Sequence, residues 1–177
     1  MKVLLVYSSK TGFTERYANW IKEELNCDIG ELKTISRETL ARYETVIYGG
    51  GIYAGKINGL AKFKNLLQRP HRQGQKIIVY ATGAAPAEAK GTVENVIKNN
   101  ISEQDRGAIP VFYFQSGLNY ERMGLVSKFM MKILPHILKR KKDKTPEDEA
   151  MVEAIKQSFD STDKKYIQPL LDHVRTA

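Results

Sequence analysis

The sequence predicts an α/β fold: a three-layer sandwich in which helices cover both faces of a five-stranded parallel sheet ordered 2-1-3-4-5. Three observations lead there. Short apolar runs alternate with longer amphipathic stretches, the pattern of repeated strand–helix units closed by crossovers. The runs are rich in β-branched residues and lack polar alternation, as in strands buried on both faces. Five such runs lie ahead of residue 116, enough for one doubly wound sheet.

The elements follow in order. Lys2–Tyr7 is the first strand, and Ser8-Ser9-Lys10-Thr11-Gly12-Phe13 is a polar turn. From Thr14 to about Asn26, the residues Tyr17, Ala18, Ile21 and Leu25 recur at helical spacing. Ile29–Leu32 is a short second strand. Thr45–Tyr48 is the third, ending in Gly49-Gly50-Gly51. Asn58–Gln68 is helical, with Leu60, Phe63, Leu66 and Leu67 on one side. Lys76–Ala81 is the fourth strand, Thr82–Pro86 a loop, Thr92–Asn99 a helix and Ala108–Phe114 the fifth strand. In a sheet of this order a ligand sits at the carboxyl ends of the strands, beside strand 1. The loops that matter are therefore 8–14, 49–57 and 82–90.

The chain reads as one domain, 1–177, in which 121–177 is a helical C-terminal extension. Met123–Leu138 is amphipathic and Met-rich, and Pro135 kinks or ends it. The basic run Lys139-Arg140-Lys141-Lys142 follows. Thr145-Pro146-Glu147-Asp148-Glu149 is a helix start, with a hydroxyl cap, a first-turn proline and acids at the positive dipole end. A last helix covers Lys164–Val174, disturbed at Pro169, and one of these helices covers the sheet edge.

Composition excludes several classes. The 177 residues are 42% hydrophobic and 27% charged, which is globular rather than disordered. No apolar run reaches the roughly 20 residues that span a bilayer. Met1–Tyr7 is too short for a signal-peptide core. The expectation is a soluble, cytoplasmic protein. The single cysteine, Cys27, excludes an internal disulfide, and His71, His136 and His173 share no ligand spacing, so no metal is expected. Charge is uneven: 28 Lys and Arg against 20 Asp and Glu give +8. Between Glu44 and Glu88 there is no carboxylate, while Lys56, Lys62, Lys64, Arg69, Arg72 and Lys76 fall inside that window. Such patches suit phosphates, anionic lipid heads, acidic small molecules or nucleic acid, or they are simply solvated. No basic and aromatic RNA-type motif is present, which argues against nucleic acid.

The turn after strand 1 carries chemistry. Amide groups at a helix N-terminus lack partners, and the dipole there favours an anion. Ser9, Thr11 and Thr14 can donate hydroxyl hydrogens, and Gly12 permits an unusual backbone turn. Lys10 is the only charged residue in the loop, so a phosphate would be held mainly by neutral donors. Plain capping accounts for one hydroxyl, but not for three with a glycine among them.

Leu5, Val6, Tyr7, Ser9, Gly12, Thr14, Ala18 and Ile21 match the flavodoxin signature at every constrained position. The chain therefore resembles the flavodoxin family, which implies a flavodoxin-like sandwich and the cofactor FMN. By that resemblance Ser9, Lys10, Thr11, Gly12, Phe13 and Thr14 hold the FMN phosphate. A competing pattern, Gly49-Gly50-Gly51-Ile52-Tyr53-Ala54, fits the dinucleotide form G-x-G-x-x-A. It follows the third strand rather than the first, and no acid stands about 20 residues on to bind a ribose. No G-x-x-x-x-G-K-[ST] occurs, which excludes a P-loop NTPase.

A flavin ring wants an apolar wall and backbone donors. Gly50, Gly51, Ile52, Tyr53, Ala54 and Gly55 can supply both, with Tyr53 either stacked on the ring or lying at the surface. Thr82, Gly83 and Ala84 form the second ring-side loop. That loop lacks the aromatic many flavodoxins place there, so one ring face is left open or covered by another element. No catalytic residue stands out, and a flavin enzyme needs none, because the cofactor carries the redox step. Electron-carrier flavodoxins are typically acidic. The carboxylate-free loops here would stabilise the anionic reduced flavin and make its potential less negative.

The whole chain also resembles the menaquinone-dependent protoporphyrinogen oxidase branch of the superfamily. The features are the glycine placement in 49–55, the exit from strand 5 into Ser116-Gly117-Leu118-Asn119-Tyr120, and the segment Ser127–Leu134. The resemblance implies an FMN-dependent oxidoreductase with a quinone acceptor. The other functional reading is an electron carrier serving a redox partner protein. Segment 123–142 has two readings as well: a helix packed on the sheet, or a basic amphipathic helix in peripheral contact with the inner membrane face.

Overall fold

The first strand, β1 (Val3–Ser8), pairs with β2 (Asp28–Glu31) on one side and β3 (Thr45–Tyr53) on the other. β3 pairs with β5 (Lys76–Gly83), and β5 with β6 (Val111–Gln115). All four pairings are parallel. The order β2-β1-β3-β5-β6 is the 2-1-3-4-5 order expected from the sequence. Numbering shifts only because a two-residue strand, β4 (Lys56–Ile57), folds back antiparallel on the end of β3. The computed structural model describes residues 2–67, 74–88, 90–125, 128, 129, 131, 133 and 155–176, without the side chains of Lys90 and Thr92.

Alternation along the strands divides the core into two. Leu4, Val6, Val46, Tyr48, Ile77 and Val79 point to one face, where they meet Leu60 and Phe63 of α3 (Leu60–Leu66) and Val96 of α4 (Lys90–Asn100). Val3, Leu5, Ile47, Ile78, Tyr80 and Phe114 point to the other. There they meet Tyr17, Ala18 and Ile21 of α1 (Phe13–Leu25). The same face packs Leu170, Leu171 and Val174, which lie on the C-terminal helix Gln168–Thr176. Burying a side chain of this size stabilises by about 1.5–3 kcal/mol, so both helical layers are firmly attached.

Several boundaries differ from expectation. β3 does not stop at Tyr48 but runs through the three glycines to Tyr53. Parallel neighbours on both sides continue the ladder, with Gly50 opposite Ser8 and Gly51 opposite Thr82. Glycine is required at Gly49, where an added Cβ would stand 2.0 Å from the Tyr80 ring. Thr82 and Gly83 likewise belong to β5, so the following loop begins at Ala84. A short helix, α2 (Arg37–Leu40), was not expected; Ser36 caps it by accepting from the Thr39 amide at 3.2 Å.

In the C-terminal part, β7 (Gly117–Leu118) pairs antiparallel with β8 (Phe159–Asp160). The extension is thus not helical throughout. A 3₁₀ turn, Lys164–Ile167, leads into the final helix, α5 (Gln168–Thr176). Pro169 lies in the first turn of α5, where a missing amide hydrogen costs nothing, so it starts this helix rather than disturbing it. Of the expected helix 123–138, residues 123 and 124 are described but not helical, residues 125, 128, 129, 131 and 133 are helical, and the rest, Pro135 included, lie outside the described residues. The basic run 139–142 and the helix start 145–149 lie outside the described residues. No helix among the described residues is long and apolar enough to cross a membrane.

Candidate functional site

The turn joining β1 to α1 opens on Gly12, whose φ of 94° lies in the left-handed region. Among the described residues no side chain caps α1. The Ser9 hydroxyl accepts from the Gly12 amide at 3.1 Å, which leaves its own hydrogen to donate elsewhere. Among the described residues, the first-turn amides of Phe13, Thr14 and Glu15 therefore have no side-chain acceptor. A helix start in this state presents donors and a positive dipole end to an anion.

The other two hydroxyls link this turn to its neighbours. Thr14 Oγ1 lies 2.8 Å from Thr82 Oγ1 in a buried contact, which turns that hydroxyl toward β5. The Thr11 side chain lies near enough to the Tyr53 phenol to influence it, and Lys10 Nζ lies 4.7 Å from the centre of the Tyr53 ring. Burial pushes the Tyr53 phenol above its ordinary pKa, and Thr11 partly offsets that rise.

After β3 the chain turns sharply at Ala54 and Gly55, both with positive φ (47° and 75°). With Tyr53 opposite Lys56, this is a two-residue hairpin of the type that needs left-handed residues at both turn positions. α4 holds the hairpin. The Asn100 side chain accepts from the Ile57 amide at 2.9 Å and donates to Gly55 O at 2.8 Å. Lys56 Nζ donates to Asn99 O at 2.8 Å. Asn58 closes the base: its amide donates to Gly51 O at 2.8 Å and its side chain to Ser8 Oγ at 2.7 Å.

The loop after β5 is tied down on its far side. Tyr113 donates its hydroxyl hydrogen to Ala85 O at 2.7 Å, and the Ala87 amide donates to Gln115 Oε1 at 3.1 Å. Gly83 touches the hairpin, since a Cβ there would stand 3.2 Å from Ile52 Cδ1. All the residues expected to bind cofactor, from Ser9–Thr14, Gly50–Gly55 and Thr82–Ala84, thus gather at one carboxyl edge of the sheet. The hydroxyls of Thr14 and Thr82 face each other, and Tyr53 lies against the first turn.

Sequence reasoning missed the strap formed by β7, β8 and their flanks. It crosses beside α1: Arg16 pairs with Asp160 at 2.5 Å, and Tyr17 donates its hydroxyl hydrogen to Gln115 O while accepting from the Asp163 amide at 3.1 Å. Burial pushes the Tyr17 phenol up to about 12. Tyr120 donates to Ile155 O within the strap. Between strap and turn lies a cleft of about 750 Å³, lined among others by Thr11, Gly12, Arg16 and Arg122. No local pattern announces these contacts, because their partners are far apart in the chain. Trp20 packs edge-on against Tyr17 at 5.2 Å. Cys27 is half-buried, and burial raises its thiol to about 11.

An uncapped helix start after strand 1, with two small-residue loops beside it, defines a doubly wound domain that holds a phosphate-bearing ligand at its strand ends. The family model of the flavodoxin domain (Flavodoxin_5) matches residues 4–145, and the chain belongs to that family. An uncharacterised protein of Methanocaldococcus jannaschii, MJ0298, is 32% identical over 88 residues, which is 49% of this chain and 57% of that protein. A flavodoxin from the domain Archaea is similar in structure at 19% identity, with TM-score 0.44 over 64% of this chain and 85% of the other. Flavodoxin 2 of Bacillus cereus is similar at 17% identity, with TM-score 0.44 over 88% and 97%. A flavoprotein of Lactobacillus acidophilus NCFM, in complex with FMN, is similar at 15%, with TM-score 0.39 over 64% and 91%.

The cofactor of flavodoxin domains is FMN, and the residues here suit it. The uncapped amides and Ser9 match a phosphate. Ile52 and Tyr53 offer an apolar wall. Gly51 leaves room for the Tyr53 ring to lie close, since a Cβ there would stand 3.1 Å from it.

Proposed function

We propose that this chain is an FMN-dependent oxidoreductase that moves electrons between a small organic substrate and a quinone, similar to the protoporphyrinogen oxidase branch. FMN, when bound, supplies the two-electron redox chemistry. The chain's part is to bind, orient and tune. The amides of the first turn hold the phosphate, and the hairpin 50–57 lines the ring. The observation that carries the reading is the uneven wall around the ring position. Tyr53, with Lys10 Nζ over its ring, stands in one loop, while Ala84, Ala85 and Pro86 in the other offer no aromatic cover. A face left uncovered suits a flat substrate stacking directly on the ring. The same two loops carry no carboxylate through Ala87, and Lys10 and Lys56 stand in or beside them, which favours an anionic reduced cofactor.

Leu125 and Phe129 are 86% and 63% exposed on a helical stretch that also carries Lys128. With the basic residues 139–142 close in sequence, they support a peripheral contact with an anionic membrane, where a quinone would be met. A second reading is an electron carrier; its support is the net charge of +8, which suits an acidic redox partner protein. The deciding experiment follows the flavin spectrum of the purified protein supplied with a porphyrinogen and a quinone. Turnover without any partner protein supports the oxidase. Rapid exchange with a reductase, and no small-molecule turnover, supports the carrier.

A further inference from the structure

We infer that Arg122, carried by the strap, is a ligand of the FMN phosphate and sets the preference for FMN over riboflavin. This rests on the FMN reading of the site and adds a charged contact to a turn whose own donors are mostly neutral. The key geometry is at Gly12. A Cβ built on that residue would stand 2.7 Å from Arg122 Nη1, so the guanidinium lies against the residue that opens α1. Gly12 thus meets two demands, a positive φ and room for the guanidinium.

The strap holds Arg122 in place. Its amide donates to Asn119 Oδ1 at 3.1 Å, and the Tyr120 amide donates to Ser158 Oγ at 3.0 Å. The neighbouring cations are committed elsewhere: Arg16 to Asp160 and Thr162, Lys10 to the face of Tyr53. Among the described residues the Arg122 guanidinium makes no ion pair. Three carboxylates line the same cleft. Asp160 is taken by Arg16, and Glu15 accepts from the Tyr7 hydroxyl at 3.3 Å. Glu121 is exposed beside Arg122.

The chemistry gives direction. A guanidinium is a rigid fork of donors matched to phosphate oxygens, and its hydrogen bonds to an anion are charge-assisted. A terminal phosphate monoester carries about −1.5 to −2 charges at neutral pH, whereas riboflavin carries none at that end. The contact therefore stabilises FMN and does nothing for riboflavin.

The test is fluorescence titration of the full chain with FMN and with riboflavin, in wild type, Arg122→Gln and Arg122→Lys, at low and high salt. Arg122→Gln is expected to weaken FMN about tenfold or more, or about 1.4 kcal/mol, to leave riboflavin unchanged and to flatten the salt dependence of FMN binding. Arg122→Lys should recover part of the loss, because it keeps the charge and loses the fork. Equal weakening of both flavins by Arg122→Gln overturns the inference, since the residue would then only order the strap. Unchanged FMN binding overturns it as well. A wild type that binds neither flavin overturns the cofactor reading and this inference together, a result distinct from the other two.

Discussion

The turn 9–14 and the hairpin 50–57 stand side by side at the same sheet edge, yet their polar groups are used in opposite ways. In the turn, the first amides of α1 have no side-chain cap among the described residues. In the hairpin, Gly51 O, Gly55 O, the Ile57 amide and Lys56 Nζ are all bonded to protein, chiefly to Asn58, Asn99 and Asn100. The turn is therefore a set of donors kept ready for an anion. The hairpin is a shaped wall whose position is settled before any ligand arrives. Binding strength should come mainly from the first, and orientation of the flavin ring from the second.

The largest expected effect lies at the root of the hairpin strand. Gly49→Ala puts a Cβ 2.0 Å from the buried Tyr80 ring, and overpacking of this kind costs about 3 kcal/mol. Chemical denaturation measures it. A loss below about 1 kcal/mol would mean that the ring moves aside, and that the hairpin is less firmly placed than its contacts imply.

Asn100→Ala comes next. It removes the acceptor of the Ile57 amide and the donor to Gly55 O, for about 2 kcal/mol of stability. FMN and riboflavin should weaken together if, as proposed, the wall serves the ring they share. A loss confined to FMN would break the division between the two regions.

Thr14→Val is smaller. It strips Thr82 of its buried partner and should cost about 1–2 kcal/mol. The ratio of FMN to riboflavin affinity should hold if, as proposed, the phosphate is met by the Thr14 amide rather than by a hydroxyl turned toward β5. A fall in that ratio on titration would show the hydroxyl turning into the cradle.

The mildest test is pH. The Tyr17 phenol, ordinarily near 10, stands at about 12 in the folded chain. Its contribution to stability is complete below pH 10 and is lost as pH rises through about 12, because the unfolded chain releases that proton first. Tyr17→Phe should flatten the alkaline limb of a stability–pH curve in that window. An unchanged limb would show that Tyr17 is not the group responsible.

Much of the site was readable from local pattern. Gly12, the hydroxyls around it and the strand before it are contiguous, so turn chemistry and helix periodicity speak within a few residues. The hairpin was half readable. Gly49–Gly51 announced close backbone approach, but not that β3 continues through them, because that depends on ladders from β1 and β5 on either side. Ala54 gave no turn signal, since a non-glycine residue at φ 47° is held there by the strands it joins. Arg122 and Asn100 were invisible, as neither belongs to a motif.

By itself the sequence determined the parallel sheet, its strand order, the polar turn around Gly12 that leads into the first helix and the carboxylate-free span from Thr45 to Ala87. These follow from periodicity, turn chemistry and composition, which act over short stretches of chain. Only the tertiary structure decided where β3 and β5 end, that Thr14 faces Thr82, that Asn100 grips the hairpin and that Arg122 rests on Gly12. Each of those depends on two segments far apart in sequence meeting at a fixed distance, and a distance across the fold is set by packing, not by neighbouring residues.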